Sequence, residues 1–174
     1  MRYSVALIED QILATLQAET SLAGIHNIKC HASDVNRATF TDPALGEGYV
    51  SLLPFIFVQY QGRVGEHDSS GDTYEHKLFF RLYVGAHSLR IATEGQRSAY
   101  DMLAGVFDAL HNKIPNCSAY TGYTYTALSG QQITMPEAHP TTPLIEAQGR
   151  DEQLIVNLQN IVVYQTDYTV KMMA

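Results

Sequence analysis

Apolar residues recur along the chain with two different periods, and the places where the period changes divide it into elements. Over residues 4–19, Val5, Ile8, Ile12 and Leu16 stand three or four apart, with Leu13 and Ala14 widening the stripe. That spacing predicts an amphipathic helix with Glu9, Asp10, Gln11 and Gln17 outward, capped by Ser4 and ended before Gly24. Residues 25–32 switch to alternation, with Ile28, Cys30 and Ala32 on one face and Asn27, Lys29 and His31 on the other, which predicts a short strand. A loop rich in Asp, Asn, Thr, Pro and Gly follows over 33–48. Residues 49–60 gather aromatic and β-branched side chains and predict a strand. Pro54, having no N–H to give, requires an edge or a bulge there.

Residues 62–71 make a polar tip. Residues 74–84 then alternate strictly, with Tyr74, His76, Leu78, Phe80, Leu82 and Val84 on one face and Glu75, Lys77, Phe79, Arg81 and Tyr83 on the other. The two strands and the tip predict a long hairpin. Thr93 with Gln96 three residues on is a capping-box pattern. It opens a second helix on which Tyr100, Leu103, Phe107 and Leu110 repeat at helical spacing, closed by Pro115. Strands are expected over 120–134 and 153–170, joined by a loop or arm punctuated by Pro136, Pro140 and Pro143. The expected order is α-β-β-β-α-β-β. This describes a single α+β domain over 1–174, a mostly antiparallel sheet with two helices packed on one face. A hairpin tip protrudes near 61–73 and the arm lies near 135–152.

Composition narrows the partners. Charged residues are 17% of the 174, against about 25% on average. Charge is depleted at interface cores, although Tyr, Thr, Gln and Ser could equally replace it on an ordinary surface. The net charge is −7 and the eleven basic residues are scattered. Clustered Lys and Arg are what phosphate binding needs, so sequence-specific nucleic-acid binding and an electrostatic membrane anchor are not expected. The apolar runs are too short to span a bilayer, and the acidic start is unlike a secretory signal. Cys30 and Cys117 stand far apart without metal or disulfide spacing and read as two reduced thiols.

No arrangement in the sequence calls for catalysis or a cofactor. Neither GxGxxG nor GxxxxGK[ST] occurs, and Gly46 and Gly48 read as turn glycines. Among seven histidines, Glu66, His67 and Asp68 with His76 come nearest to a metal set, but neighbours on a tip point apart and no second cluster completes a site. His139 stands equally alone. Cys117 near His111 could be argued as a nucleophile and its base, but both sit at a helix end, where packing and the dipole explain them. The carboxylate pairs Glu9–Asp10 and Asp151–Glu152 are sequence neighbours, where acid–base work needs two carboxyls facing across a substrate.

The aromatic residues say more. Eleven Tyr and six Phe occur without a Trp, and Tyr is enriched at protein interfaces. Phe79 and Tyr83, on the less apolar strand face beside Lys77 and Arg81, are therefore candidate protein contacts. The competing reading covers both faces of that strand inside the subunit. Arg63, Glu66, His67, Asp68 and Asp72 on the tip complete the candidate set.

Five segments carry a resemblance: VALIEDQILATL, LLPFIFVQYQGR, HKLFFRLYV, EGQRSAYDMLAGVFDAL and LIVNLQNIVVYQTDY. Together they resemble the tail-terminator proteins of Mu-like phages and prophages over most of the chain, residues 135–150 excepted. The resemblance implies a sheet flanked by helices and a ring, usually of six subunits. Such a ring caps the tail tube, stops its polymerisation, meets the head–neck connector and, in contractile tails, the last sheath ring. It implies no activity and no cofactor, and a place in the virion tail after assembly in the host cytoplasm. A ring of such acidic subunits would keep passing DNA from sticking. The alternatives are another head–tail neck or tail-completion protein of this layout, and a small-ligand enzyme or binding module with a deep polar pocket.

Overall fold

The computed structural model describes residues 5–67, 74–87, 92–113, 124–126, 132–134, 144–147 and 152–173. Four helices and eight strands follow in the order α1 (Val5–Ala18), β1 (Asn27–Cys30), α2 (Arg37–Thr41), α3 (Gly46–Ser51), β2 (Phe55–His67), β3 (Tyr74–His87), α4 (Ala92–Leu110), β4 (Thr124–Thr126), β5 (Gln132–Thr134), β6 (Leu144–Ala147), β7 (Gln153–Leu158) and β8 (Ile161–Met173). The fold is α+β, as the periodicities require. Its main sheet is mixed and mostly antiparallel, in the order β1-β2-β3-β8-β6, with β7 also paired to β8. Among the described strands only β1 and β2 run parallel. Helices α2 and α3 fill the crossover that a parallel pair needs. Strands β4 and β5 pair with each other as a small second sheet.

The long hairpin is the spine of the sheet. β2 pairs with β3 from Phe55↔Gly85 to His67↔Tyr74, and β3 pairs with β8 from His87↔Ile161 to Glu75↔Met173. Alternation then sorts side chains by face. Leu78, Phe80, Leu82 and Val84 of β3 join Ile56, Val58, Val162, Tyr164, Tyr168 and Val170 under α1 and α4. Helix α1 contributes Ile8, Ile12 and Leu16, each fully buried, so its stripe is the one the spacing predicts. Burying each such side chain contributes about 1.5–3 kcal/mol.

The opposite face is covered as well. Val35, Leu53, Phe55, Phe57, Tyr83, Val156 and Val163 form a second core, closed by Phe40, Tyr49 and Leu52 from the α2–α3 region. The expectation of helices on one face therefore holds for the two long helices, and two short ones lie across the sheet. Helix α2 sits inside the stretch expected to be loop, and α3 runs from its end into the start of the expected strand. Asn36 starts α2 through a reciprocal capping box with Thr39, a pattern with Thr where Glu or Gln is usual. Tyr49 belongs to α3 rather than to a strand, and β2 begins immediately after Pro54, which thus never has to supply a ladder donor.

Three further boundaries move. The polar tip is strand as far as His67, with the shift in register between Tyr60 and Gly62. Gly62 takes φ 144°, a conformation open to glycine and closed to most residues, and such bulges bend the strand that carries them. The last expected strand is a hairpin, β7 and β8, reversing at Gln159 with φ 46°. Its turn lacks the glycine that marks most two-residue turns, which is why alternation ran through it. Within the expected arm, β6 is strand and lines the edge of β8 beside Tyr168 to Lys171. Residues 135–143 and 148–151 of that arm lie outside the described residues.

Helix α4 also turns differently on its axis. Ala99, Met102, Leu103, Val106 and Leu110 are buried, while Tyr100 and Phe107, expected in the same stripe, are exposed. Gly105 explains the rotation, because a Cβ there would sit 2.7 Å from both Leu22 Cδ2 and Ser21 Oγ of the turn Thr20–Leu22. The helix ends at Leu110. Asn112, with φ 57°, donates its N–H to the Ile145 carbonyl, and Lys113 accepts from the Ile145 N–H, tying the helix end to β6.

Candidate functional site

The candidate contact residues separate into two environments. Arg63, Val64 and Gly65 are exposed on the distal half of β2, Val64 by 46%. This half pairs with β3 on one side. On the other, β1 reaches only Phe55 to Val58, and no described strand continues it. Among the described residues the distal edge therefore has no strand pairing its outward backbone N–H and C=O groups, and such an edge is a template on which a strand of another chain can be added. Glu66 and His67 occupy the last two pairs of the hairpin, opposite Glu75 and Tyr74. Asp68 and Asp72 lie outside the described residues.

Phe79 is half-buried, between Gly62 and Thr169 in the ladder. Tyr83 is 1% exposed, which corrects the expectation that its ring meets another protein. It is a core side chain, because α2 and α3 cover this end of the face. Its hydroxyl donates to Asp34 Oδ1 at 3.3 Å and Gln59 Oε1 at 3.1 Å, and Gln59 Nε2 donates to Asp34 Oδ1 at 3.3 Å. One step along the sheet, Arg81 Nε and Nη2 donate to the two carboxylate oxygens of Asp167 at 2.9 and 3.2 Å. Gln59, Arg81 and Asp167 are successive ladder partners. Sequence reasoning missed this row because it depends on register between strands far apart in the chain.

The other end of the sheet gives a second edge. β6 and β7 share the outer side of β8, one beside Tyr168 to Lys171 and the other beside Ile161 to Gln165. Gln153 and Leu154 are exposed here. The sheet thus ends in two dissimilar edges, a glycine-containing strand end carrying Arg63 and an interrupted strand carrying Gln153 and Leu154.

An open groove of about 410 Å³ lies between α1 and the β1–β2 edge, lined by Glu9, Cys30, His31, Ala32, Gln59 and Tyr60. It holds the one described cysteine, so it is where nucleophilic chemistry would be sought. The thiol of Cys30 is pushed up to about 12, first by burial and then by the Glu9 carboxylate, although part of the residue reaches solvent. Reactive thiols need the opposite, a cationic setting that favours the thiolate. His31 stacks on Phe57 at 4.6 Å and meets the Tyr49 hydroxyl at 3.2 Å through Nε2. Burial, then the Lys29 ammonium, holds it below the usual histidine range. Among the described residues no three His, Cys, Asp or Glu side chains are placed to hold a metal ion. With Cys117 replaced by Ser, iodoacetamide at pH 8 should alkylate the folded chain at least about tenfold more slowly than the urea-unfolded chain. Equal rates would mean that the thiol is not held protonated.

Several phenols are perturbed with it. Burial first, then the Tyr100 hydroxyl, pushes Tyr164 up to about 12, and burial followed by Glu152 raises Tyr168 well above the usual range. The folded state therefore prefers the neutral phenol, whereas the unfolded chain ionises near about pH 10. Stability from these groups is complete below pH 10 and is lost as pH climbs from there through 12. Urea midpoints should fall steeply across that window and recover partly in Tyr164→Phe, which a pH series with tyrosinate absorbance would follow.

No family model and no curated protein matches the chain, so the likeness to tail terminators rests on its own segments. A solved structure does match. A chain of the "Virion of native gene transfer agent (GTA) particle" is similar with a TM-score of 0.51 and 12% identity, over 99% of this chain and 100% of that one. At this identity the likeness is one of fold, and it extends end to end. No described helix is long and apolar enough to cross a membrane.

Proposed function

We propose that the chain is a virion structural protein of the tail-terminator kind. It works as a ring subunit, of six copies in the family it resembles, that caps the tail tube, stops its growth and joins tail to head or neck. The observation that carries this reading is the fold shared end to end with a chain of a virion particle. The two dissimilar sheet edges support it further. A closed ring is a heterologous interface whose rotation closes, so each subunit needs two different complementary surfaces. In this reading the distal β2 edge of one subunit meets the β6–β7 edge of the next or the rim of the tube. The chain has no catalytic role and needs no cofactor; its partners are its own copies, the tube protein, the connector and, in a contractile tail, the sheath.

The test is to add the purified protein to polymerising tail-tube protein and follow tube length by electron microscopy. Tubes should stop growing and carry a ring at one end. The similar chain is described only as part of a virion, so a neck protein of the same fold is the second reading. Unhindered tube growth with binding to head connectors alone would favour it.

A further inference from the structure

Among the described residues, one strand edge stands open and one ribbon stands incomplete. The His31 N–H donates to the Val58 carbonyl, so Val58 turns its backbone groups toward β1. Counting on through the register shift, Gly62, Val64 and Glu66 bond β3, while Arg63, Gly65 and His67 turn their backbone groups away from it. The bulge lies ahead of this stretch, which pairs regularly with β3 from Gly62 to His67.

Elsewhere the chain guards its own edges. On the outer side of β1, Gln17 Nε2 donates to the Ile28 carbonyl at 3.2 Å. On β6, Ile145 donates its N–H to the Lys113 carbonyl and accepts from the Asn112 N–H, each at 2.9 Å. Strand β7 has six residues and shifts register between Leu154 and Val156, and short or bulged strands resist the addition of another.

The incomplete ribbon is β4–β5. It runs from Thr124↔Thr134 to Thr126↔Gln132 and pairs with no other described strand, and two strands alone are marginally stable in water. Edge strands are ordinarily guarded by charged side chains, Lys above all. Residues 114–136 hold none, although charged residues are 17% of the chain, and Tyr120, Tyr123 and Tyr125 fall among them. Depleted charge with enriched tyrosine is the composition of an interface core. The stretch that carries the ribbon departs after Lys113 and is back by Ile145, the two residues bridged at the β6 edge.

We infer that the β4–β5 ribbon of one copy adds to the distal β2 edge of the next, along Arg63 to His67. The inference rests on the ring reading and names the element that the β6–β7 side extends to its neighbour. Charge favours a second copy as the occupant. Subunits of net charge −7 repel one another, and an uncharged ribbon brings no like charge to the contact. In the strand order, β3 and β8 separate the ribbon's root at β6 from the receiving edge on β2. The contact therefore repeats head to tail, as a ring requires.

The test uses the full chain carrying Cys30→Ser and Cys117→Ser. One preparation adds Gly65→Cys, a second adds Ile133→Cys, and the two bear tags of different size. A short bismaleimide should join the two when mixed, in solution or on tail tubes, and should join neither preparation to itself. Thr124→Lys with Thr134→Lys in the ribbon copy should cut the yield at least about tenfold. Thr124→Ser with Thr134→Ser should leave it within about twofold. With Arg63→Cys as the receiving site instead, Gly65→Pro removes an outward N–H and should cut the yield at least about threefold. Melting should stay cooperative throughout, because these positions lie outside both cores. No joining in either setting, or joining of the Gly65→Cys copy to tube protein in place of a second copy, overturns the inference. If tubes are then still capped, the ring reading stands without it. Joined copies that leave tubes growing would remove the cap and keep the arm.

Discussion

Phe55→Ala should lower the unfolding free energy by about 3–5 kcal/mol, the usual cost of removing a buried aromatic ring. For a domain of this length that lowers Tm by roughly 6–20 °C. Phe55 is fully buried at the start of β2, stacked on Phe57 with ring centroids 4.0 Å apart. Its ring lies over Gly85, where a Cβ would stand 2.5–2.8 Å from three ring carbons. A flexible side-chain end would give way, but this one is confined between Phe57 and Phe40. Gly85→Ala should therefore cost about 1–3 kcal/mol by overpacking. The two sites must also couple. In a Phe55→Leu background the obstruction shrinks and Gly85→Ala should lose most of its penalty, a departure from additivity of about 1 kcal/mol or more in urea titrations. Simple additivity would mean that the ring does not hold this position.

The second large effect falls on assembly. Gly65 and His76 face each other across the hairpin, so replacing residues 66–75 with Asn-Gly closes it two pairs earlier through a turn that suits the strand twist. The main core loses nothing, because Leu78, Phe80 and their neighbours lie below the cut. Stability should change by no more than about 1 kcal/mol, typical of changes away from the core. Tube capping should be abolished at concentrations where the intact protein stops elongation, as counted in micrographs. If capping persists, the hairpin end is not the contact. A loss of cooperative unfolding would instead place the tip in the fold itself.

Long, regular elements were legible in the sequence. Helix α1, strand β3 and helix α4 each repeat a period often enough that no other structure buries their apolar residues, and the α+β class follows from their order. What failed was short or relational. Helices α2 and α3 have five and six residues, too few for a period, and they cover the face that Tyr83 was expected to turn outward. Tyr83 beside Arg81 looks like a surface residue in one dimension. Only the position of residues 34–53 across the sheet makes it core, with its hydroxyl held by Asp34 and Gln59.

The same limit applies to surfaces. Period alone put Tyr100 and Phe107 in the buried stripe with Leu103 and Leu110, since all four fit helical spacing. The close approach of Gly105 to Leu22 and Ser21 decides which side of α4 faces inward. Glycine among larger residues was the available clue. The tip was legible as polar but not as strand, because Gly62 and Gly65 interrupt the alternation where the bulge shifts the register.

The proposed role has this chain act through its surfaces, as one layer of a particle at the junction of tail and head. Gold-labelled antibody against the chain, applied to particles made by the host that encodes it and viewed by electron microscopy, tests this most directly. The account predicts label at a single level, where the tail tube meets the head. Particles that lack the protein, or label spread along the tail or over the head shell, would contradict it.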